Sequence, residues 1–166
     1  MNSSYRISVP ETMSDNLLQS LVELTQACNS HDSSSLYFDI KNRHREKRSD
    51  FFCFYDNELV GYLVLIPHYC KGIMNVKGMV HPKHRREGIF TALFNKAKDA
   101  CICKGYTNMV LVCERNSEAG KAFTLSLGAN LKYTNYDMKL DFNHYHYDIS
   151  NQDDLVFRSA ESHDID

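Results

Sequence analysis

Between Met79 and Cys101 the chain reads MVHPKHRREGIFTALFNKAKDAC, and five of the six residues from His81 to Arg86 are His, Lys or Arg. An apolar run stops at His81-Pro82. After Gly88 a helical apolar pattern starts at once, with Ile89, Leu93, Ala97 and Ala100 on one side. A helix start exposes unpaired backbone N–H groups and a partial positive charge, which together attract anions. Glycine permits a tight turn and lets a ligand approach the backbone where a Cβ would obstruct it. Lys83, Arg85 and Arg86 add a local field for phosphate in a chain whose formal net charge is −2. HRREGI is therefore a turn suited to phosphate groups. No G-K-[ST] follows Gly88, so it is not a Walker loop, and one glycine does not make a dinucleotide fingerprint. An ordinary helix start with solvated charges is the plain alternative.

The elements that must position this turn follow in order along the chain. YRISVP, residues 5–10, alternates and stops at a proline, as a short strand does. Beyond Thr12, Leu17, Leu18, Leu21, Val22 and Leu24 share one helical face, with Ser14 or Asp15 available as N-cap. NSHDSSS breaks that pattern before a short apolar piece, LYFDI, and the basic run KNRHREKRSD. The basic run has no interleaved aromatic residue for base stacking, which favours a solvated loop or frayed helix end over a nucleic-acid patch. Two dense strand signals, FFCFY and LVGYLVLI, flank Asp56-Asn57-Glu58, where Asp-Asn suits the positive φ angles of a tight hairpin. GIMNVKGMVH, residues 72–81, is a third strand, and a helix over 86–104 follows. NMVLVCE, residues 108–114, has the continuous apolar character of a strand buried on both faces. A further helix spans 117–127, with Ala119, Ala122, Phe123 and Leu127 toward the core and Gly128 as its stop. NLKYTNYDMKLD, residues 130–141, returns as an extended strand. A helix between strands 72–81 and 108–114 makes that step a right-handed crossover between parallel strands. The fold class is α/β (α+β), a mixed central sheet flanked by helices.

At 166 residues the chain can bury one substantial core and is too short for two ordinary domains. Its near-neutral charge gives no case for nucleic acid. No apolar run approaches the ~20 residues of a membrane span, and MNSSYRISVPETMSD lacks the regions of a signal peptide. A soluble cytoplasmic protein, without membrane or nucleic-acid partners, is expected. Of six cysteines, Cys53 and Cys113 lie in apolar runs, no pair has C-x2-C spacing, and Cys101 and Cys103 splay apart on a helix. Reduced thiols are expected, with neither a disulfide framework nor a metal site.

VHPKHRREGIFTAL resembles the acyl-CoA-binding signature of the GNAT acetyltransferases, R/Q-x-x-G-x-G/A after a strand ending in V-x-P. Arg85 and Gly88 match it, whereas Phe90 stands where the last small residue belongs. LVCERNSEAGKAFTLSLGA resembles the family's next block, and YDMKL its Y-x-M strand. The three stand in order across residues 51–140, which implies a GNAT acyl-CoA N-acyltransferase fold over residues 1–140.

The resemblance implies acetyl-CoA as cosubstrate, no metal, and direct transfer to an amine of a small molecule or a protein. It implies cofactor contacts from Gly78, Met79 and Val80 on the strand and from Arg85, Arg86, Glu87, Gly88, Ile89 and Phe90 in the turn. Asn116 matches the asparagine that contacts the cofactor arm. The tyrosine that often protonates the departing thiolate falls at Phe123, which has no proton to give. Tyr136 and Tyr133 are the substitutes, and they face opposite sides if 130–141 is a regular strand. The family's usual carboxylate base falls near Asn75, which leaves Glu114. A non-catalytic coenzyme A-binding domain that serves a partner domain is the competing reading. Residues 141–166 form a linker whose LVFRSAESHDID resembles the opening of a second GNAT domain, or they supply a C-terminal strand. A second such domain or a homodimer is the corresponding partner.

Overall fold

The computed structural model describes residues 5–38, 49–136, 138–143, 158–159 and 161. The chain divides into two compact units, Met1–Asn130 and Leu131–Asp166. In the first, β1 (Arg6–Ser8) precedes helix α1 (Asp15–Asp32). Three strands follow: β2 (Ser49–Tyr55), β3 (Glu58–Pro67) and β4 (Ile73–Val80). A short 3-10 turn, Pro82–His84, leads to α2 (Ile89–Cys103), then β5 (Asn108–Leu111) and α3 (Glu118–Ser126). The sheet order is β1-β2-β3-β4-β5, antiparallel except for the parallel β4–β5 pair. It is the mixed sheet that the order of sequence signals predicts.

Local chemistry accounts for the elements. Ser14 caps α1 by accepting from Leu17 N–H at 3.3 Å. Asp56 and Asn57 take φ values of 46° and 68°, as the β2–β3 hairpin requires. Alternation along β2 and β3 sends side chains to two cores. Phe51, Cys53, Leu63 and Leu65 pack with Leu93 and Ala97 of α2, while Phe52, Tyr62 and Val64 pack with Leu21 and Leu24 of α1. The helices thus cover opposite faces of the sheet.

Four expectations need correction. α2 begins at Ile89 rather than at 86, because Arg86 (φ 68°) and Gly88 (φ 78°) hold left-handed conformations that a helix cannot include. β5 is a four-residue strand of mostly intermediate burial, not a long strand buried on both faces, since among the described residues β4 is its one partner in the sheet order. α3 has no buried residue, and Leu127 beyond it is 43% exposed. The described part of 130–141 contains no strand; alternation needs a paired edge to become a strand, and Leu131, Tyr136 and Met138 are exposed. The basic connector lies outside the described residues, except that Ser49 and Asp50 open β2. Most of 141–166 also lies outside them.

In the second unit Phe142 and Asn143 form a turn, with Asn143 N–H donating to the Asp141 carboxylate at 3.0 Å. Among the described residues no helix is long and apolar enough to cross a membrane.

Candidate functional site

Parallel pairing of β4 and β5 runs from Ile73 opposite Asn108 to Val76 opposite Leu111, with one more hydrogen bond from Val112 N–H to Val76 C=O at 2.9 Å. On its other side β4 stays paired with β3 as far as Val80, opposite Gly61. Beyond Val76 the parallel strands therefore part. Gly78, Met79 and Val80 line one wall of the resulting cleft, and Val112, Cys113 and Glu114 line the other. The cleft holds about 490 Å³. That is within the ordinary range of small-molecule sites, roughly 300–1,000 Å³.

The start of α2 opens into this cleft. Gly88 is the N-cap, with φ 78° and ψ 1°, and no side chain caps the helix. The first N–H groups of a helix have no partner within it, and Gly88, Ile89, Phe90 and Thr91 all line the cleft. A Cβ built on Gly88 would meet no atom within 4 Å, so the space over the turn is open to a ligand. Positive backbone dipole, open space and Arg86 at the rim suit a phosphate.

The turn's one acidic residue is turned elsewhere. Tyr5 OH donates to the Glu87 carboxylate and lies 3.3 Å from His84 Nδ1, while the carboxylate is 3.9 Å from that nitrogen. Glu87 does not line the cleft, whereas His84 does. His81 begins the 3-10 turn; its Nδ1 accepts from Lys83 N–H at 3.3 Å, which requires that nitrogen to be unprotonated. Burial pushes the His81 pKa down, in keeping with that role.

Arg85 lines the cleft but is engaged. Its guanidinium donates to both Asp32 oxygens at 2.8 Å, and Nε donates to Val80 C=O at 3.1 Å. That hydrogen-bonded pair holds the Asp32 carboxyl below the usual carboxylate range.

Aromatic rings fill the floor. Phe90 meets Phe123 edge to face at 4.7 Å, and Phe94 meets Phe123 at 5.5 Å. A Cβ on Gly78 would lie 2.6 Å from Tyr62 C=O and 2.9 Å from the Phe90 ring, so the large residue in the turn sits opposite a strand position with no side chain. Ala119, Ala122 and Phe123 of α3 line this cleft too; of that stripe Phe123 also packs, half-buried, against the core beneath α2. Across the mouth, Glu114 accepts Ser35 N–H at 3.2 Å.

Of the residues singled out in the sequence, Gly78, Met79, Val80, Arg85, Arg86, Gly88, Ile89, Phe90 and Glu114 share the cleft. Glu87 and Asn116 are not among its lining residues. Tyr133 and Tyr136 belong to the second unit, 46% and 75% exposed, and without a strand at 130–136 the alternation that would oppose them does not apply. Sequence reasoning did not find Cys28, Asn29 and Asp32 of α1, or Ser34 and Leu36 after it, which also line the cleft. No spacing signal joins them to the turn. Among the described residues no group of three His, Cys, Asp or Glu could hold a metal.

Two splayed parallel strands with an uncapped helix start at their mouth define an acyl-CoA N-acyltransferase fold. The sequence profile of the acetyltransferase (GNAT) family matches residues 16–129, and the chain belongs to that family. No curated protein matches it by sequence. Solved structures share the fold at low identity. The ribosomal-protein-alanine N-acetyltransferase from Brucella melitensis biovar Abortus 2308 is 19% identical with a TM-score of 0.59, over 82% of this chain and 99% of that one. The PaiA N-acetyltransferase from Thermoplasma acidophilum, in complex with coenzyme A, is 18% identical with a TM-score of 0.63, over 80% and 93%. An aminoglycoside acetyltransferase, meta-AAC0020, from an uncultured soil metagenomic sample is 15% identical with a TM-score of 0.61, over 82% and 97%.

Proposed function

We propose that this protein transfers the acetyl group of acetyl-CoA to a primary amine of a small molecule or a protein. The observation that carries the reading is the uncapped start of α2, open to the cleft where β4 and β5 part. Backbone N–H groups from Gly88 to Thr91, with Arg86, would hold the pyrophosphate, and the edge of β4 at Gly78, beyond its pairing with β5 and short of the Val80 carbonyl that Arg85 and Cys28 hold, would take the pantetheine arm as an added strand. The cosubstrate supplies an activated acetyl thioester. The transfer also needs removal of a proton from the amine and delivery of one to the thiolate. Glu114, a carboxylate on the cleft wall, is the base, and water returns a proton to the departing thiolate. Neighbours of this fold bear names that give a ribosomal protein or an aminoglycoside as acceptor, which supports an amine of either kind.

Binding without catalysis is the second reading, and one observation favours it. Phe123, where an acid would be useful, is locked between Phe90 and Phe94 as apolar packing. The two readings separate on release of free thiol from acetyl-CoA across an amine panel. Amine-dependent release supports the enzyme. Binding of acetyl-CoA, read as a raised melting temperature, with no release for any amine supports the binding domain.

A further inference from the structure

Arg85 is the cation that begins the R-x-x-G signature, yet its guanidinium is already committed. Nη1 and Nη2 donate to Oδ1 and Oδ2 of Asp32, each at 2.8 Å, and Nε donates to Val80 C=O. The same carbonyl accepts the Cys28 thiol at 3.4 Å. Cys28 and Asp32 lie one helical turn apart near the end of α1, so this helix is fastened to the last residue of β4, where strand gives way to turn. The pair is only about one-fifth exposed, with Arg85 at 21% and Asp32 at 18%. A forked, charge-assisted pair in that setting is hard to break. The next residue, Arg86, keeps φ at 68°, which a non-glycine residue holds only where its surroundings impose it. Arg85, anchored at three points one residue earlier, is such a constraint.

We infer that Asp32 is a positioning residue for coenzyme A: through Arg85 it fixes the turn between β4 and α2, and phosphate recognition is left to backbone N–H groups and Arg86. The inference rests on the coenzyme A reading above. Its opposite is that Arg85 is itself a phosphate ligand, parked on Asp32 until a ligand arrives.

Calorimetric binding of coenzyme A to the full chain, well below its melting temperature and at two salt concentrations, decides between them. The variants are Asp32→Asn, Arg85→Gln, their double combination and Arg85→Lys. For a positioning pair, Asp32→Asn and Arg85→Gln each weaken binding about tenfold and the double variant loses no more than either. Arg85→Lys, which keeps the charge but not the fork, weakens binding nearly as much as Arg85→Gln. The dependence of affinity on salt stays that of the parent.

If Arg85→Lys keeps the parent's affinity, if Asp32→Asn leaves binding unchanged or tightens it, or if Arg85→Gln flattens the salt dependence, the inference is overturned. A lowered melting temperature with unchanged affinity in every variant gives the pair a structural role only and overturns it as well. A parent chain with no affinity for coenzyme A overturns the cofactor reading itself, a distinct result because no variant is needed to see it. Should Arg85→Gln fail to fold, Asp32→Asn and Arg85→Lys decide alone.

Discussion

Two parallel strands, β4 and β5, each lead into a helix beside the same cleft, and the two junctions are built in opposite ways. At the start of α3, Ser117 accepts Gly120 N–H at 3.1 Å and Glu118 places a negative charge in the first turn. Cap and charge satisfy that helix from within the chain. At the start of α2 there is no side-chain cap and no acid in the first turn; Gly88 is left-handed, Lys83, Arg85 and Arg86 come shortly before it, and Glu87 is held by Tyr5 outside the cleft. One helix end is finished by its own side chains and the other is uncapped and open to the cleft. A helix N-terminus alone therefore does not mark an anion site. The proposed phosphate site rests on the missing cap, the open space over Gly88 and the cleft that both of them face.

The largest effect should come from closing the open junction. Gly88→Asp places a carboxylate over the amides and forces a residue with a Cβ into φ 78°. It should abolish the acetyl-CoA-dependent rise in melting temperature; a variant that binds like the parent would take the turn out of the cofactor site. Next is Glu114→Gln, which should lower turnover about 10²–10⁴-fold while coenzyme A affinity stays within a few-fold of the parent. Steady-state rates at saturating acetyl-CoA measure it, and an unchanged rate removes Glu114 as the base.

Two stability effects follow. Gly78→Ala meets a backbone carbonyl at 2.6 Å and the Phe90 ring at 2.9 Å, and should cost about 1–3 kcal/mol in urea unfolding. A neutral outcome would mean that β4 can shift away from β3 freely. Ser117→Ala removes the cap of the finished junction and should cost about 1 kcal/mol, with coenzyme A affinity intact. Loss of affinity in Ser117→Ala would erase the contrast between the junctions.

The open junction was legible because its signals are local: Gly88, its cationic neighbours and the apolar period that starts with Ile89 lie within one short segment. The hairpin at Asp56-Asn57 and the face carrying Leu21 and Leu24 were legible for the same reason. The brace on the turn was not. Asp32 and Arg85 stand 53 residues apart, and nothing in either neighbourhood points to the other. The apolar stripe Ala119, Ala122 and Phe123 was visible, but period alone does not distinguish a core face from the wall of a cleft. Continuous apolar character suggested a long buried strand at 108–114, whereas the divergence of β5 from β4 ends pairing soon after Leu111. Alternation at 130–141 carried no information about a partner edge.

The smallest predicted effect tests the brace through its charge. Arg85 lowers the Asp32 pKa in the folded chain, while in the unfolded chain Asp32 titrates near the ordinary ~4. A carboxylate with a depressed folded pKa contributes its full stabilisation above the unfolded value. It loses that contribution as pH falls through the folded one. Asp32→Asn keeps an acceptor for the guanidinium but has no such titration. At pH 7 the parent should therefore be more stable than the variant, by about 1 kcal/mol or less because the pair is partly screened. The difference should hold down to about pH 5, begin to shrink near the unfolded pKa, and vanish in stronger acid. Urea unfolding of parent and variant across that range measures it. A gap that stays constant as the solution is acidified would mean that Asp32 acts by shape alone and that its ionised pairing with Arg85 adds nothing to the fold.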